Sequence, residues 1–251
     1  MTLLHVENLT KNFGGVCAID DLSFSISEGT IHSVIGPNGA GKTTLFNLIT
    51  GVYTPSTGSI TLNGESIASK PPYTLAKMGM SRTFQNLQIC ANMTARENVM
   101  MGNHLHLNTG FFPAMLRLPA IIRGEKQCEE KAAELMHFVG LEDYIFSDAD
   151  SMPYGALKRL EIARALAAQP NLLLLDEPAA GLNPKETAEI EALIQKVAES
   201  GVTVLLVEHD MKLVMNISDH ILVLDYGKKL AEGTAKQVRE NPEVITAYLG
   251  A

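Results

Sequence analysis

The chain opens in a strand-like rhythm. In "LLHVENL" (3–9), "LSFSISEG" (22–29) and "TIHSVIG" (30–36), apolar and polar positions alternate or cluster over lengths that suit β-strands. In "SITLNGESI" (59–67), Asn63-Gly64 separates two such runs, a pair suited to the positive φ positions of a tight hairpin turn. These pieces predict a small antiparallel sheet. From about Thr74 to Ala168 the reading is mostly helical, with Cys128, Ala132, Leu135 and Val139 at helical spacing and charges opposite them. "NLLLL" (171–175) and "VTVLLVEH" (202–209) then flank a well-marked helix. Asn183 caps it, Pro184 takes its first position, Glu186 completes a capping box, and Gly201 follows its end. Continuous apolar strands alternating with helices predict a parallel sheet buried on both faces. "HILVLDYGKKLAEG" (220–233) adds a hairpin, and helices follow it.

Composition narrows the field. With 251 residues, 46% hydrophobic and 19% charged, the chain can bury one large core or two small lobes. A net charge of −8 disfavours general nucleic-acid binding, which usually shows a basic surplus. Cys17, Cys90 and Cys128 are scattered and lack metal-site spacing, which fits a reducing compartment. "MTLLHVENLT" has no signal-peptide pattern, and "FFPAMLRLPAII" (111–122) is too short to span a bilayer.

"GPNGAGKTT" (36–44) carries the first chemistry. It matches G-x-x-x-x-G-K-[ST] between a strand and a helix. Across Gly36, Pro37, Asn38, Gly39, Ala40 and Gly41 the backbone can fold tightly, with its N–H groups turned towards phosphate oxygens. The dipole of the helix starting near Lys42 favours the same anion. Lys42 is expected to reach the β- and γ-phosphates, Thr43 to hold Mg²⁺, and Thr44 to help bind the α-phosphate. An incidental glycine turn with a lysine would not explain the strand before it and the helix after.

"LLLLDEP" (172–178) supplies the second part. A carboxylate at the C-terminal edge of a buried strand can orient Mg²⁺, and Asp176 stands there. Glu177, pointing elsewhere, can act as general base on the attacking water.

With the phosphate loop, the Asp-Glu pair, "VEHDM" and "RLEIARAL" in this order, nearly the whole chain resembles the ATP-binding cassette (ABC) ATPases. The resemblance implies an α/β P-loop NTPase fold. A RecA-like parallel-sheet core and an antiparallel β subdomain would occupy residues 1–85 and 169–251, with a helical subdomain inserted at 86–168. It also implies a head-to-tail dimer with two ATP molecules between the subunits. Phe13, in "KNFGG", matches the aromatic that stacks on adenine. Gln85, in "SRTFQNLQ", matches the glutamine that senses Mg²⁺ and water and touches the membrane partner. His209 matches the switch histidine near the γ-phosphate. Gly181 and Asn183 fall in the loop that crosses to the partner subunit, where many relatives carry Asp at the position of Asn183.

One motif is misspelt. Met152 to Ala156 stand over the usual L-S-G-G-Q, and only Gly155 survives; Leu157 replaces the Gln that usually follows. Pro153 has neither hydroxyl nor N–H, while Tyr154 keeps an N–H and adds a ring. Tyr154, Gly155 and the following helix dipole leave a weakened anion site. Either the site has decayed into a scaffold, or a related subunit supplies the complementary half. The presence of Lys42, Asp176, Glu177 and His209 favours the latter.

"YG" before "RLEIARAL", then "DEPAAGLNPKET" and the tail "EGTAKQVRENPEVITAYLG", are similar to the ATPases of branched-chain amino-acid uptake. That likeness implies a peripheral subunit on the cytoplasmic face of the plasma (inner) membrane, using ATP and Mg²⁺. Its partners would be a second cassette, two permease subunits and, indirectly, an extracytoplasmic solute-binding protein, with no nucleic acid. The 85–92 and 111–122 stretches are candidate permease contacts. The alternatives are a soluble cluster-assembly ABC ATPase and a lipopolysaccharide-export ATPase. A single phosphate loop argues against two-cassette translation factors, and the lack of sustained heptads between residues 44 and 152 argues against chromosome relatives.

Overall fold

The computed structural model of the chain describes residues 1–106 and 119–249, so most of the 111–122 stretch lies outside the described residues. The chain forms two compact units: Met1–Arg82 with Asn171–Ala251, and Thr83–Pro170.

The first unit holds two sheets. β1 (Thr2–Phe13) pairs antiparallel with β2 (Val16–Ser27) and with β4 (Thr57–Leu62), and β5 (Glu65–Ser66) closes a hairpin on β4. Asn63 and Gly64 turn that hairpin with φ of 53° and 76°. Along β2, Leu22, Phe24 and Ile26 are buried while the residues between them are not, the period of a half-buried strand.

The second sheet has the order β10-β9-β3-β8-β7-β6. β3 (Ile31–Ile35), β6 (Met80–Arg82), β7 (Leu172–Asp176), β8 (Thr203–Val207) and β9 (His220–Asp225) run parallel, and β10 (Lys228–Gly233) is the antiparallel edge. Every residue of β3, β7 and β8 is buried, as a strand covered on both faces requires. On one face Leu222 and Leu224 join a core with Leu4, Ile26, Ile60 and Phe46. On the other, Ile221 and Val223 pack with Val214, Val238 and Val244. Two short helices, α1 (Lys42–Ile49) and α2 (Pro72–Lys77), belong to this unit.

β6 departs from the mostly helical reading of 74–168. Three residues, Met-Ser-Arg, are too short to display a period, and their strand character comes from pairing with β7, Met80 to Leu172 and Arg82 to Leu174.

The second unit is built on α3 (Ala95–Gly102), α4 (Pro119–Phe138) and α5 (Tyr154–Ala167). Thr94 and Glu97 form a reciprocal capping box at the start of α3. The fully buried Asn98 bonds both the N–H (2.9 Å) and the carbonyl (3.0 Å) of Cys90, pinning the irregular segment before the helix. Cys128, Ala132 and Val139 are buried as the helical spacing predicts, but Met136 fills the core where Leu135 was expected and Leu135 is half-buried. Both lie on the same stripe, and a flexible thioether side chain suits an irregular gap.

Back in the first unit, α6 (Pro184–Glu199) starts at the Asn183–Glu186 capping box, whose Asn183 Oδ1 accepts from Lys185 and Glu186 N–H at 2.9 and 3.0 Å. α7 (Met211–Ile217), α8 (Ala235–Arg239) and α9 (Pro242–Leu249) follow. Among the described residues no helix is long and apolar enough to cross a membrane.

Candidate functional site

Gly36 to Thr44 leave the C-terminal end of β3 and enter α1, and in open α/β sheets generally the carboxyl ends of the strands are the end that receives ligands. Two glycines are required there. A Cβ on Gly36 would lie 2.2 Å from the Leu224 carbonyl oxygen, and one on Gly41, at φ 102°, would lie 2.7 Å from the Ala18 oxygen. The turn after β9 supports the loop, since Gly227 donates its N–H to the Ala40 carbonyl at 3.0 Å and accepts from Asp20 N–H at 2.9 Å. Gly41 caps α1 without a side chain, so the first-turn N–H groups stay available to an anion.

Lys42 is buried at the centre of this loop. Its Nζ donates to the Gly36 carbonyl at 2.6 Å and to Pro37 at 3.1 Å. Burial pulls its ammonium below the usual lysine range, while Glu177 and Asp176 push the other way. Thr43 is exposed and Thr44 half-buried at the start of the helix; Pro37 is half-buried, and Asn38 and Gly39 are exposed along the loop.

Asp176 ends β7, opposite Val207 of β8. Its Oδ2 accepts from the Arg82 guanidinium at 2.8 Å, and both side chains are less than a tenth exposed. Arg82 also donates to Asn47 Oδ1 at 2.7 Å and to Thr50 Oγ1 at 3.1 Å on α1, with its guanidinium 5.5 Å from the Phe46 ring centroid. A fork of donors thus joins the Asp176 carboxylate to α1. The sequence reading did not select Arg82; its only signal is a lone Arg three residues before Gln85.

Glu177 sits just past the strand with φ 50°, a conformation uncommon outside glycine, asparagine and aspartate. Its N–H still bonds the Val207 carbonyl at 2.9 Å, so the sheet holds its backbone just past the strand. Oε1 of Glu177 lies 2.6 Å from Nε2 of His209, which is half exposed. The structure therefore brings Glu177 and His209 into direct contact in the same unit as Lys42 and Asp176.

Phe13 ends β1 and is 42% exposed. Its ring meets Tyr53 edge-on at 5.1 Å, and Lys11 Nζ lies 4.9 Å from its centroid while donating to the Thr54 carbonyl. Tyr53 and Lys11 were not selected from the sequence either.

The remaining positions lie in the other unit. Gln85 is exposed in the segment after β6. Tyr154 and Gly155 fall inside the first turn of α5, whose cap is Pro153, rather than in a loop before the helix. Tyr154 is 45% exposed with Lys158 Nζ 5.7 Å from its ring, and Gly155 is buried. The buried Glu161 of α5 accepts the Phe84 N–H at 3.4 Å, and burial pushes its carboxyl above the usual range.

The family profile described as "ABC transporter" matches residues 19–180. The chain belongs to the ABC transporter family. Its tail, residues 228–251, matches a second profile described as "Branched-chain amino acid ATP-binding cassette transporter". It is 49% identical to the high-affinity branched-chain amino acid transport ATP-binding protein BraF of Pseudomonas aeruginosa, over 99% of this chain and 98% of that one. It is 45% identical, over the same shares, to the corresponding protein LivG of Escherichia coli K12. A solved structure described as the ADP conformation of an ATP-binding cassette of an ABC transporter superposes over the whole of both chains, with a TM-score of 0.87 at 33% identity. The ABC cassette fold expected from the motifs is therefore the fold observed.

Proposed function

We propose that this chain is the ATP-hydrolysing subunit of a membrane importer for branched-chain amino acids or related amino acids and amides. It would work at the cytoplasmic face of the membrane, paired with a second cassette and two permease subunits. The 45–49% identity to two named branched-chain amino acid transport proteins supports the transport class. The 2.6 Å contact between Glu177 and His209, in the unit that carries the phosphate loop, carries the hydrolytic reading.

The nucleotide's phosphates lie against the N–H groups of residues 36–44 and the ammonium of Lys42. Thr43 and Asp176 offer hard oxygen donors of the kind Mg²⁺ takes alongside substrate phosphates, and among the described residues no cluster of three or more His, Cys, Asp or Glu competes for a metal. When bound, Mg²⁺ supplies positive charge to the phosphate oxygens. Glu177 accepts the proton of a water whose oxygen attacks the γ-phosphorus as the bond to the β–γ bridging oxygen breaks, giving ADP and phosphate. His209 holds Glu177 through its Nε2 contact. Phe13 stacks on adenine. Gln85, Tyr154 and Gly155 keep the roles that the resemblance implies, the last two towards nucleotide on a second subunit.

The test uses the complex reconstituted with its permeases in liposomes. Glu177→Gln should retain nucleotide but lower turnover on the order of 10²–10⁴-fold and abolish ATP-driven leucine, isoleucine and valine uptake. Undiminished turnover rejects the hydrolytic role, and wild-type complex that hydrolyses ATP without moving any amino acid or amide rejects the import role.

A further inference from the structure

Glu208 stands between β8 and His209 and is only 4% exposed. A carboxylate buried this deeply is costly unless strong donors surround it. Its donors come from two separate turns. Oε1 accepts the Ala179 N–H at 2.7 Å, in the turn that follows Glu177. Oε2 accepts the N–H of its own neighbour His209 at 2.9 Å, with Asp210 N–H at 3.4 Å.

The sheet sets the starting point of both turns, since Asp176 pairs with Val207 and Glu177 N–H bonds the Val207 carbonyl. Beyond that rung the two chains leave the ladder. The first folds on itself, with Ala180 N–H to the Glu177 carbonyl at 3.1 Å and Leu182 N–H to the Ala179 carbonyl at 3.2 Å. The second enters α7, where Asp210 accepts from Lys212 N–H at 2.9 Å. The carboxylate of Glu208 spans the two turns past the last rung, just where the side chains of Glu177 and His209 meet.

We infer that Glu208 is a positioning residue for hydrolysis, a buried carboxylate that clasps the Ala179 and His209 backbones and so fixes the Glu177–His209 contact. Its role is exerted through the two turns whose N–H groups it accepts. The inference rests on the reading that Glu177 activates the water.

The experiment compares wild type, Glu208→Ala and Glu208→Gln in the assembled complex. Glu208→Ala removes all three acceptor contacts; Glu208→Gln keeps an acceptor for Ala179 but turns an amide N–H towards the His209 N–H. Nucleotide affinity, set at residues 36–44, should stay within about twofold. Turnover should fall roughly 10- to 100-fold in Glu208→Ala, the scale of a small misplacement at a reacting group, with Glu208→Gln between. In ¹⁵N spectra of the imidazoles, the His209 Nε2 signal should move in Glu208→Ala.

Unmoved His209 resonances, or turnover within twofold of wild type, overturn the inference. So does an equal loss of nucleotide affinity and turnover, which marks a general structural defect. If instead Glu177→Gln leaves turnover intact, the reading of Glu177 has failed, and the His209 signal alone upholds or overturns the clasp.

Discussion

Arg82 NH2 and Asp176 Oδ2 form a 2.8 Å ion pair with both side chains nearly out of solvent, joining the strand that leads to Gln85 to the proposed magnesium carboxylate. Breaking a buried pair from one side strands the other charge, at a cost of about 3–5 kcal/mol. Arg82→Met should therefore destabilise the protein by about that much in urea unfolding. Replacing both partners, Arg82→Met with Asp176→Leu, should recover most of the loss yet leave the protein unable to hydrolyse ATP. A single variant within 1 kcal/mol of wild type would show that the pair is not a structural tie.

The Phe13 ring makes a T-shaped pair with Tyr53 at 5.1 Å, has Lys11 Nζ 4.9 Å from its centroid and is 42% exposed, which leaves it accessible to a base. Stacking on an aromatic is worth roughly 1–3 kcal/mol per base. Phe13→Ala should weaken ATP binding by about 5- to 150-fold and leave inorganic triphosphate, which has no base, almost unaffected. Tyr53→Ala should show the same selectivity at smaller size. Titration with both ligands checks this, and equal weakening of the two would remove Phe13 from the base site.

How much of this was legible beforehand follows from where the information sits. Gly36 to Thr44, the Asp176–Glu177 pair and the Asn183 cap are local patterns whose geometry is set by a few adjacent residues, and the chain states them outright. The strand at Met80–Arg82 is not local, because its only reason to be extended is its pairing with Leu172–Leu174 about ninety residues on. Arg82, Glu208, Tyr53 and Lys11 act through partners distant in sequence, from Ala179 to Thr54, and nothing beside them marks the pairing. Met136 displaced Leu135 from the core because a helical stripe is wider than one residue per turn.

Lys42 places its ammonium on the Gly36 and Pro37 carbonyls, inside the loop proposed to cradle the phosphates. Charge-assisted hydrogen bonds are worth about 1.5–3 kcal/mol, so Lys42→Ala should weaken ATP binding on the order of 10- to 100-fold. The effect should be far smaller on adenosine, which carries no phosphate. Calorimetric titration of the two ligands makes the comparison. An equal loss for adenosine would mean that Lys42 shapes the unit rather than meeting phosphate.

His32 on β3 stacks on His220 of β9 at 5.5 Å, and its buried Nε2 has no hydrogen-bond partner among the described residues. Burial, then the neighbouring His220 charge, lowers its pKa from 6.5 to about 4, while Asp219 and Glu232 oppose the shift. Well above pH 6.5 the ring is neutral in both folded and unfolded chains and contributes no pH dependence. Between 6.5 and about 4 the unfolded chain binds a proton that the folded one refuses, so stability falls as pH falls. The full span corresponds to roughly 3 kcal/mol at the usual 1.4 kcal/mol per unit. His32→Met, close in volume and unable to titrate, should flatten this acid slope while leaving stability at pH 7.5 within about 1.5 kcal/mol. Urea midpoints measured from pH 7.5 to 4.5 decide it, and a variant that keeps the full wild-type slope would assign the acid sensitivity to other groups.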